Sequence, residues 1–531
     1  MLIRSHIQTP YLALAAIIIT AIALIHRRFQ QRNRLPLPPS PPAEPLLGHL
    51  RILPTEHPQL QYTKWGKDYN SDILHFSMLG RSIVVLNSIE AARDLLDKKG
   101  ANFADRPRFV VFEVMGWGIT LTFLRWSSRF KLHRKMLQQS FTQTACKAYR
   151  PVQVEEARRA AKAIMHDPQN WEVLLRQFST AVVLRIGFGI KIQEKNDPYV
   201  KMAIDVEEAT GESGVPGATL IDFFPLLRHL PNPFIISKLS TLLAPLRHAR
   251  RTKASIQQLH DAPWAAVEPS IRLAKNLQPS FMNTHFSRYL ENEASGKANV
   301  ATIEDIKGAA GAISIAGGNT TWSTIMVCIL NLILHPEVQE KARAEILAAI
   351  GTDENGDILR LPTFEDRPQL KWLEYIIQET TRWMPLSPLG VPHASITEDT
   401  YKGYRIPAGS VVYANAWAMS RDERFYSRPD EFSPERYVPV AEGGRGEPLP
   451  DGPFGFGRRV CPGQYLALSG VYIIMATLLA TMEIKCPLGE KGEEVQPRVS
   501  FSNGLSAVPD SFGCRMVPRS ERARTQLEER L

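Results

Sequence analysis

Phe454-Gly-Phe-Gly-Arg-Arg-Val-Cys-Pro-Gly463 is the stretch on which the reading of this 531-residue chain turns. Cys461 precedes Pro462, a residue suited to the first turn of a helix, and an apolar run of helical character begins near Gln464. The sulfur therefore falls at a helix N-terminus beside Arg458 and Arg459, where unpaired amides and positive charge favour thiolate over thiol. Gly457 and Gly463 permit positive φ and let a flat ligand approach the backbone closely. A thiolate in such a loop is suited to ligating a soft or borderline metal such as iron. The other cysteines, Cys146, Cys328, Cys486 and Cys514, read as core residues. Five cysteines, odd in number and widely spaced, make no disulfide framework and point to a reducing compartment for the bulk of the chain.

Composition frames the loop. The chain is 44% hydrophobic and 22% charged, which excludes a disordered chain, a collagen-like fibre and a many-span membrane protein. The formal net charge of +9 is spread along the chain. It suits an acidic partner or membrane surface, and no dense basic run argues for nucleic acid. No Walker-type loop is present, and Gly187-Phe-Gly189 lacks the third glycine of a dinucleotide fingerprint.

Helical periodicity dominates the body, most clearly over Pro151 to Met165, Asp305 to Leu334, Pro336 to Ile350 and Trp372 to Trp383. Thr302 can cap the long helix, with Glu304 and Asp305 favourable to its dipole, and Pro336 marks its end. Strand-like alternation occurs at Ile73–Met78, Ser82–Leu86, Val411–Tyr413 and Arg498–Phe501. The uncharged runs Ala309 to Leu334 and Tyr465 to Met482 are long enough to span a bilayer. Their glycines and mid-run polar groups mark them as buried helices of a large soluble core.

Residues 9 to 25, TPYLALAAIIITAIALI, carry no charge and are followed by Arg27, Arg28, Arg32 and Arg34, with Arg4 before them. This reads as a short transmembrane anchor with the body on the cytosolic side. A cleaved secretory signal is the competing reading. Six prolines between Pro36 and Pro45 follow as a stiff spacer. The expected organisation is a lumenal N-terminus at 1–8, an anchor at 9–25, a basic and Pro-rich linker at 26–48 and one large catalytic domain at 49–531.

The loop at Cys461 resembles, position by position, the haem-ligand signature of the cytochrome P-450 monooxygenases, with Phe454, Gly457, Arg459, Cys461 and Gly463 filling it. Three further stretches resemble the family in the right order. Glu379-Thr-Thr-Arg382 is similar to its Glu-x-x-Arg helix, whose members share a helix face. Phe432-Ser-Pro-Glu-Arg436-Tyr437 is similar to its Pro-Glu-Arg-aromatic loop. Ala316-Gly317-Gly318-Asn319-Thr320-Thr321 is similar to its oxygen-binding motif. Asn102-Phe-Ala-Asp-Arg106-Pro107 and Gly504-Leu-Ser-Ala-Val-Pro509 also look like the family, and the whole is most like fungal microsomal members of secondary metabolism.

The resemblance implies a mainly α fold with small β-sheets and a haem b cofactor. It implies Cys461 as iron ligand, with Arg134, His393 and Arg459 on the propionates, and Glu379, Arg382 and Arg436 as a structural triad. Thr320 would hydrogen-bond bound oxygen and guide protons, while small residues at Ala316 and Gly317 leave room above the iron. Two positions depart. Asn319 stands where the family usually has an acid, so proton supply would run through Thr320 and water. Phe130 stands where it typically has a propionate-bonding Trp.

The implied reaction is monooxygenation of a hydrophobic small molecule, a terpenoid or other fungal metabolite, with little formal charge facing the pocket. NADPH would supply electrons through a reductase at the endoplasmic reticulum membrane, met by Arg134, Lys135 and Arg458. The expected pocket runs along Phe109 to Leu124, Leu220 to Phe224 and Gly504 to Val508. Named lining residues are Phe112, Ile313, Ala316, Gly317, Leu389, Val391 and Ser506. A haem-thiolate isomerase or dehydratase, or a non-enzymatic haem protein that binds a ligand, stays open as an alternative.

Overall fold

The computed structural model describes residues 34–192, 197–211, 219–231 and 243–529. The expected lumenal stretch (1–8), the expected anchor (9–25) and the first part of the expected linker lie outside the described residues. From Pro36 onward the linker is laid down on the body. Pro38 and Pro41 are buried, and the carbonyls of Pro36 and Pro39 accept the backbone N–H groups of Arg405 (2.8 Å) and His75 (3.1 Å). Proline cannot donate but keeps its carbonyl, so Pro36 and Pro39 dock as acceptors.

Helices build most of the molecule. The ones that position the site are α1 (Ser128–Ser140), α2 (Arg150–His166), α3 (Trp171–Phe188), α4 (Pro198–Gly211), α5 (Ala244–Arg272), α6 (Ile303–Leu334), α7 (Pro336–Ile350), α8 (Lys371–Trp383) and α9 (Gln464–Thr481). Helix α6 runs through the centre. Its N-terminus carries a reciprocal capping box between Thr302 and Asp305. Asp305 also receives Arg129 Nε (2.7 Å) and His133 Nε2 (3.0 Å), which ties α1 to the start of α6. Both apolar runs are core helices: 67% of the apolar stretch of α6 and 78% of that of α9 is buried.

The strands make three small sheets. β1 (Ile73–Met78), β2 (Arg81–Leu86), β3 (His393–Ala394) and β6 (Val411–Ala414) form a four-stranded sheet in the order β1-β2-β6-β3. β2 and β6 are parallel, with Ile83 opposite Val411, and β3 is antiparallel to β6, with His393 opposite Val412. β4 (Asp399–Tyr401) pairs with β5 (Tyr404–Ile406), and β7 (Met482–Lys485) with β8 (Arg515–Pro518). The expected strand at Arg498–Phe501 does not form. That segment folds back on itself, with Ser502 N bonding Val508 O (2.8 Å) and Asp510 N bonding Ser500 O (3.0 Å), around one bridge from Phe501 to Pro509. Alternation alone does not extend that single bridge into a ladder.

Candidate functional site

The Cys461 loop is held by its own backbone. Cys461 N–H bonds the Phe454 carbonyl (2.8 Å), and α9 starts at Gln464 with Gly463 as its N-cap. The amides of Gly463 and Gln464 are directed at the sulfur, as expected at a helix start. The cation acting on the sulfur is Arg134, from α1. Arg134 Nη1 bonds the Val460 carbonyl. The expected neighbours lie elsewhere. Arg459 is turned toward the carbonyls of Ala104 (Nε, 2.7 Å) and Leu124 (Nη1, 2.9 Å), and exposed Arg458 lies over the Trp126 ring. Burial pushes the Cys461 thiol up, against the pull of the Gly463 amide, Arg134 and the Gln464 amide. A metal ion would take the proton's place.

The two glycines differ. Gly457 has φ +55°, and a Cβ there would sit 2.0 Å from the Leu96 carbonyl oxygen. The close approach it permits is to the π-helical turn Arg93–Lys98, not to a ligand. Gly463 has φ −89°, and the nearest atom to its missing Cβ is Cys461 Sγ at 3.9 Å. The expectation of positive φ holds at Gly457 and fails at Gly463.

A second group of side chains gathers from distant segments. Arg459 is buried, lies 3.6 Å over the Phe130 ring and leaves Nη2 without any hydrogen bond. Arg106 is buried beside it and spends its N–H groups on the carbonyls of Thr122 (3.3 Å), Val391 (2.6 Å) and Pro392 (2.9 Å). His393, also buried, bonds the Phe103 carbonyl through Nδ1 (2.8 Å). Burial and then Arg106 and Arg459 push its imidazole down to about 3, so it is neutral. The nearby Asp105 carboxylate is taken by Arg125 and the Trp126 amide. Arg106, Arg134 and Arg459 have no ion-pair partner among the described residues. Unpaired buried cations are costly, so this group fits an anionic ligand with two carboxylates, as a haem has. Arg106 belongs to the Asn102–Pro107 motif, but nothing in the sequence shows which distant segments it packs against.

Across the cavity stands α6. Ala316 is exposed although its helix is buried, and that exposure faces the cavity. It is the residue that leaves room. Gly317 borders the cavity too, but a Cβ there would meet Val183 of α3 at 2.7 Å, so its smallness serves the packing of α6 on α3. The Thr320 hydroxyl donates to the Ala316 carbonyl (2.5 Å), a bond within its own helix. Asn319 borders the cavity and has its Oδ1 buried without a partner.

The triad is fully buried. Arg382 makes a two-point pair with Glu379 (2.7 and 2.8 Å), and Arg436 Nε reaches Glu379 Oε1 at 3.0 Å. Tyr437 OH and the Ser433 amide also donate to that carboxylate, each at 2.9 Å. Glu447, which sequence reasoning missed, accepts from Arg436 Nη1 at 2.5 Å and gives the second cation its own counter-ion. The guanidiniums spend their remaining donors on carbonyls at 420, 427, 429 and 431, which pins this loop to α8.

These parts enclose a cavity of about 790 Å³ that reaches Cys461, Arg106, Arg134, Arg459 and His393. Ile313, Ala316, Gly317, Asn319, Thr320, Val391, Phe454, Gly463 and Ser506 all line it. Phe112 and Leu389 do not. Phe112 packs behind Phe123, ring centroids 4.8 Å apart, and Leu389 belongs to the core under the four-stranded sheet. Leu220 to Phe224 also lies off the cavity, with Ile221 in the same cluster as Phe112. Formal charge does reach the wall: Arg176 of α3, stacked 3.6 Å over Trp322, pairs with Glu207 of α4, and both line the cavity.

A helical fold of this kind, closed around a cysteine loop with a buried Glu–Arg–Arg triad and buried arginines that have no ion-pair partner among the described residues, has the make-up of a haem-binding protein. The cytochrome P450 family profile matches residues 38–505, and the chain belongs to that family. It is 32% identical to a cytochrome P450 monooxygenase of Armillaria gallica over 96% of this chain and 97% of that one. It is 36% identical to the monooxygenase claR of Ampulloclitocybe clavipes over 92% and 88%, and 31% identical to tryptamine 4-monooxygenase of Psilocybe cyanescens over 95% and 97%. The protein is thus an oxidoreductase of the monooxygenase type, and haem is the cofactor its family implies.

Proposed function

We propose that this monooxygenase inserts one oxygen atom into a lipophilic small molecule of fungal secondary metabolism, R–H + O2 + 2e⁻ + 2H⁺ → R–OH + H2O. Within that class we infer a body of terpenoid character, and haem b as the bound form. The observation that carries this is the exposure of Ala316 midway along a mostly buried helix, in one cavity with Cys461.

The bound haem would supply the oxygen activation and the C–H chemistry. The chain's own residues do the rest. Cys461 Sγ would be the iron ligand, held at the start of α9. Arg106, Arg459 and neutral His393 would hold the propionates, and Arg134 ties α1 to the cysteine loop through the Val460 carbonyl. Thr320 Oγ holds a proton at the cavity wall, and Asn319 orients water there but cannot release a proton as an acid would. The triad locks the loop next to the cysteine.

Electrons come from NADPH through a membrane-bound reductase. Its docking face is the exposed trio Lys131, Lys135 and Arg458, two of which flank the Trp126 ring (5.0 and 5.5 Å). Arg134 is turned inward and is not part of that face. Residues 9–25 anchor the body in the endoplasmic reticulum membrane, with the reductase.

The test is the absorption spectrum of the reduced, carbon-monoxide-bound protein, with Cys461→Ala beside it, followed by NADPH- and reductase-dependent oxygen consumption on lipophilic substrates. The reading requires the red-shifted Soret band of thiolate-ligated haem, lost in the variant. A well-folded, haem-loaded wild type without that band overturns it. Asn319 in place of an acid favours a second reading, a haem-thiolate isomerase or dehydratase. Product formation independent of NADPH would select it.

A further inference from the structure

β7 and β8 pair antiparallel, with Met482 opposite Pro518 and Lys485 opposite Arg515. One residue further, the same register sets Cys486 opposite Cys514. Arg519 N–H bonds the Thr481 carbonyl at 3.0 Å, so positions 481 and 519 are a hydrogen-bonded pair. Alternation along the ladder then makes Cys486 and Cys514 a non-hydrogen-bonded pair. Such pairs hold their Cα atoms roughly 4.5 Å apart with both side chains on one face. A disulfide needs about 4.4–6.8 Å. The strands stay close past this point, since a Cβ on Gly513 would lie 2.8 Å from the Pro487 ring. Arg515 Nε donates to the Cys486 carbonyl (2.7 Å) and steadies that backbone. Both thiols are free and half-buried, next in line after buried Ile484 and Met516.

Between the two cysteines the chain makes an excursion, residues 487–513. It carries Gly504, Leu505, Ser506 and Val508 to the wall of the substrate cavity. The base of a cavity-forming loop is therefore framed by two thiols in register.

We propose that Cys486 and Cys514 are an oxidisable dithiol that hydrogen peroxide converts into a disulfide clamping this excursion. One sulfur attacks peroxide, the O–O bond breaks, and a sulfenic acid and one water result. The second thiol then displaces the sulfenic oxygen as water, leaving one S–S bond. Two thiols are oxidised, one peroxide is reduced, and the two thiol protons end in the two waters. Peroxide is what a monooxygenase releases when electrons reach oxygen without product, so the source of the oxidant rests on the proposed function; the thiol chemistry does not. Burial raises both thiols, Cys514 to about 12, which keeps the thiolate fraction small and makes the pair answer to sustained rather than brief exposure.

The experiment treats purified, haem-loaded protein with hydrogen peroxide, denatures it, alkylates with N-ethylmaleimide and maps tryptic peptides by mass. The expected result is a linked pair, Cys486–Lys491 joined to Val499–Arg515, two hydrogens lighter than the separate peptides and released by dithiothreitol. Oxidation also raises the melting temperature of the wild type but not of a variant carrying Cys486→Ser and Cys514→Ser. Recovery of both cysteines as free alkylated thiols, or as separate sulfinic and sulfonic acids, overturns the proposal. Peroxide is added directly and no turnover is required, so this outcome is distinct from a failure of the monooxygenase reading.

Discussion

The Arg459 guanidinium lies 3.6 Å from the centroid of the Phe130 ring, and both residues are buried. Phe130 stands where a family tryptophan would bond a propionate. Here the aromatic face steadies Arg459, the arginine proposed to hold a propionate. Phe130→Leu keeps an apolar side chain and removes the ring, which is expected to cost about 1 kcal/mol of stability and to speed haem loss to an apo-globin acceptor several-fold. Phe130→Trp keeps the face and should slow that loss. Equal loss rates for Leu and wild type would show that the ring does not hold the arginine.

Gly457 and Gly463, two of the three glycines of the cysteine loop, predict opposite outcomes. Gly457→Ala puts a Cβ into the Leu96 carbonyl at positive φ, a backbone against backbone clash with no flexible neighbour to give way. It is expected to cost about 2 kcal/mol or more and to abolish haem-loaded protein. Gly463→Ala meets only Cys461 Sγ at 3.9 Å, so the chain should fold with its melting temperature nearly unchanged. Melting curves and haem content of the purified variants separate the two.

Asp305 predicts a pH dependence. Burial alone would raise its carboxyl, but bonds from His133, Thr302 and Arg129 hold it well below the usual carboxylate range. A depressed folded-state pKa contributes stability that is complete above the unfolded value, about 3.9, and is lost as pH falls below it. Asp305→Asn should therefore melt lower than wild type at pH 7, with the gap closing as the pH is taken down through 4 toward 3. A gap that stays constant over that range would remove the carboxylate from the account.

Ala316 predicts a separation of ligation from substrate binding. Ala316→Leu fills cavity space from the α6 side and leaves the cysteine loop itself unchanged. The carbon-monoxide spectrum should be kept while the affinity for lipophilic ligands, read from their spectral shift, falls by about tenfold or more, equivalent to about 1.4 kcal/mol. Unchanged affinity would place the substrate elsewhere in the cavity.

The charged pair in the wall predicts a change of preference. Glu207→Gln leaves Arg176 beside the cavity without its partner carboxylate. Ligands bearing a carboxylate should then bind more tightly relative to their neutral counterparts, several-fold in a spectral titration. No change in that ratio would mean that Arg176 is screened from bound ligands.

What the sequence by itself determined are features carried by a few contiguous residues. The Cys461 loop, the start of α9 at Gln464, the Thr302 cap of α6 and the Glu379–Arg382 pair were all legible, because caps, i to i+3 pairs and tight turns are local interactions. The apolar runs of α6 and α9 were readable as core because polar and small residues interrupt them. Only the tertiary structure decided which residues share a space. Arg106, Phe130, His393 and Arg459 come from four separate segments, and that two of them are buried cations without a carboxylate is a property of the assembly. Phe112 and Leu389 look no different in sequence from Ile313 and Val391; which apolar residue faces a cavity and which backs it depends on the packing of neighbouring elements. Gly457 marks a tight turn in the sequence, but its need for a missing Cβ is set by Leu96, more than three hundred residues earlier. Burial, counter-ion balance and close approach are relations between distant segments, and they exist only once those segments have packed.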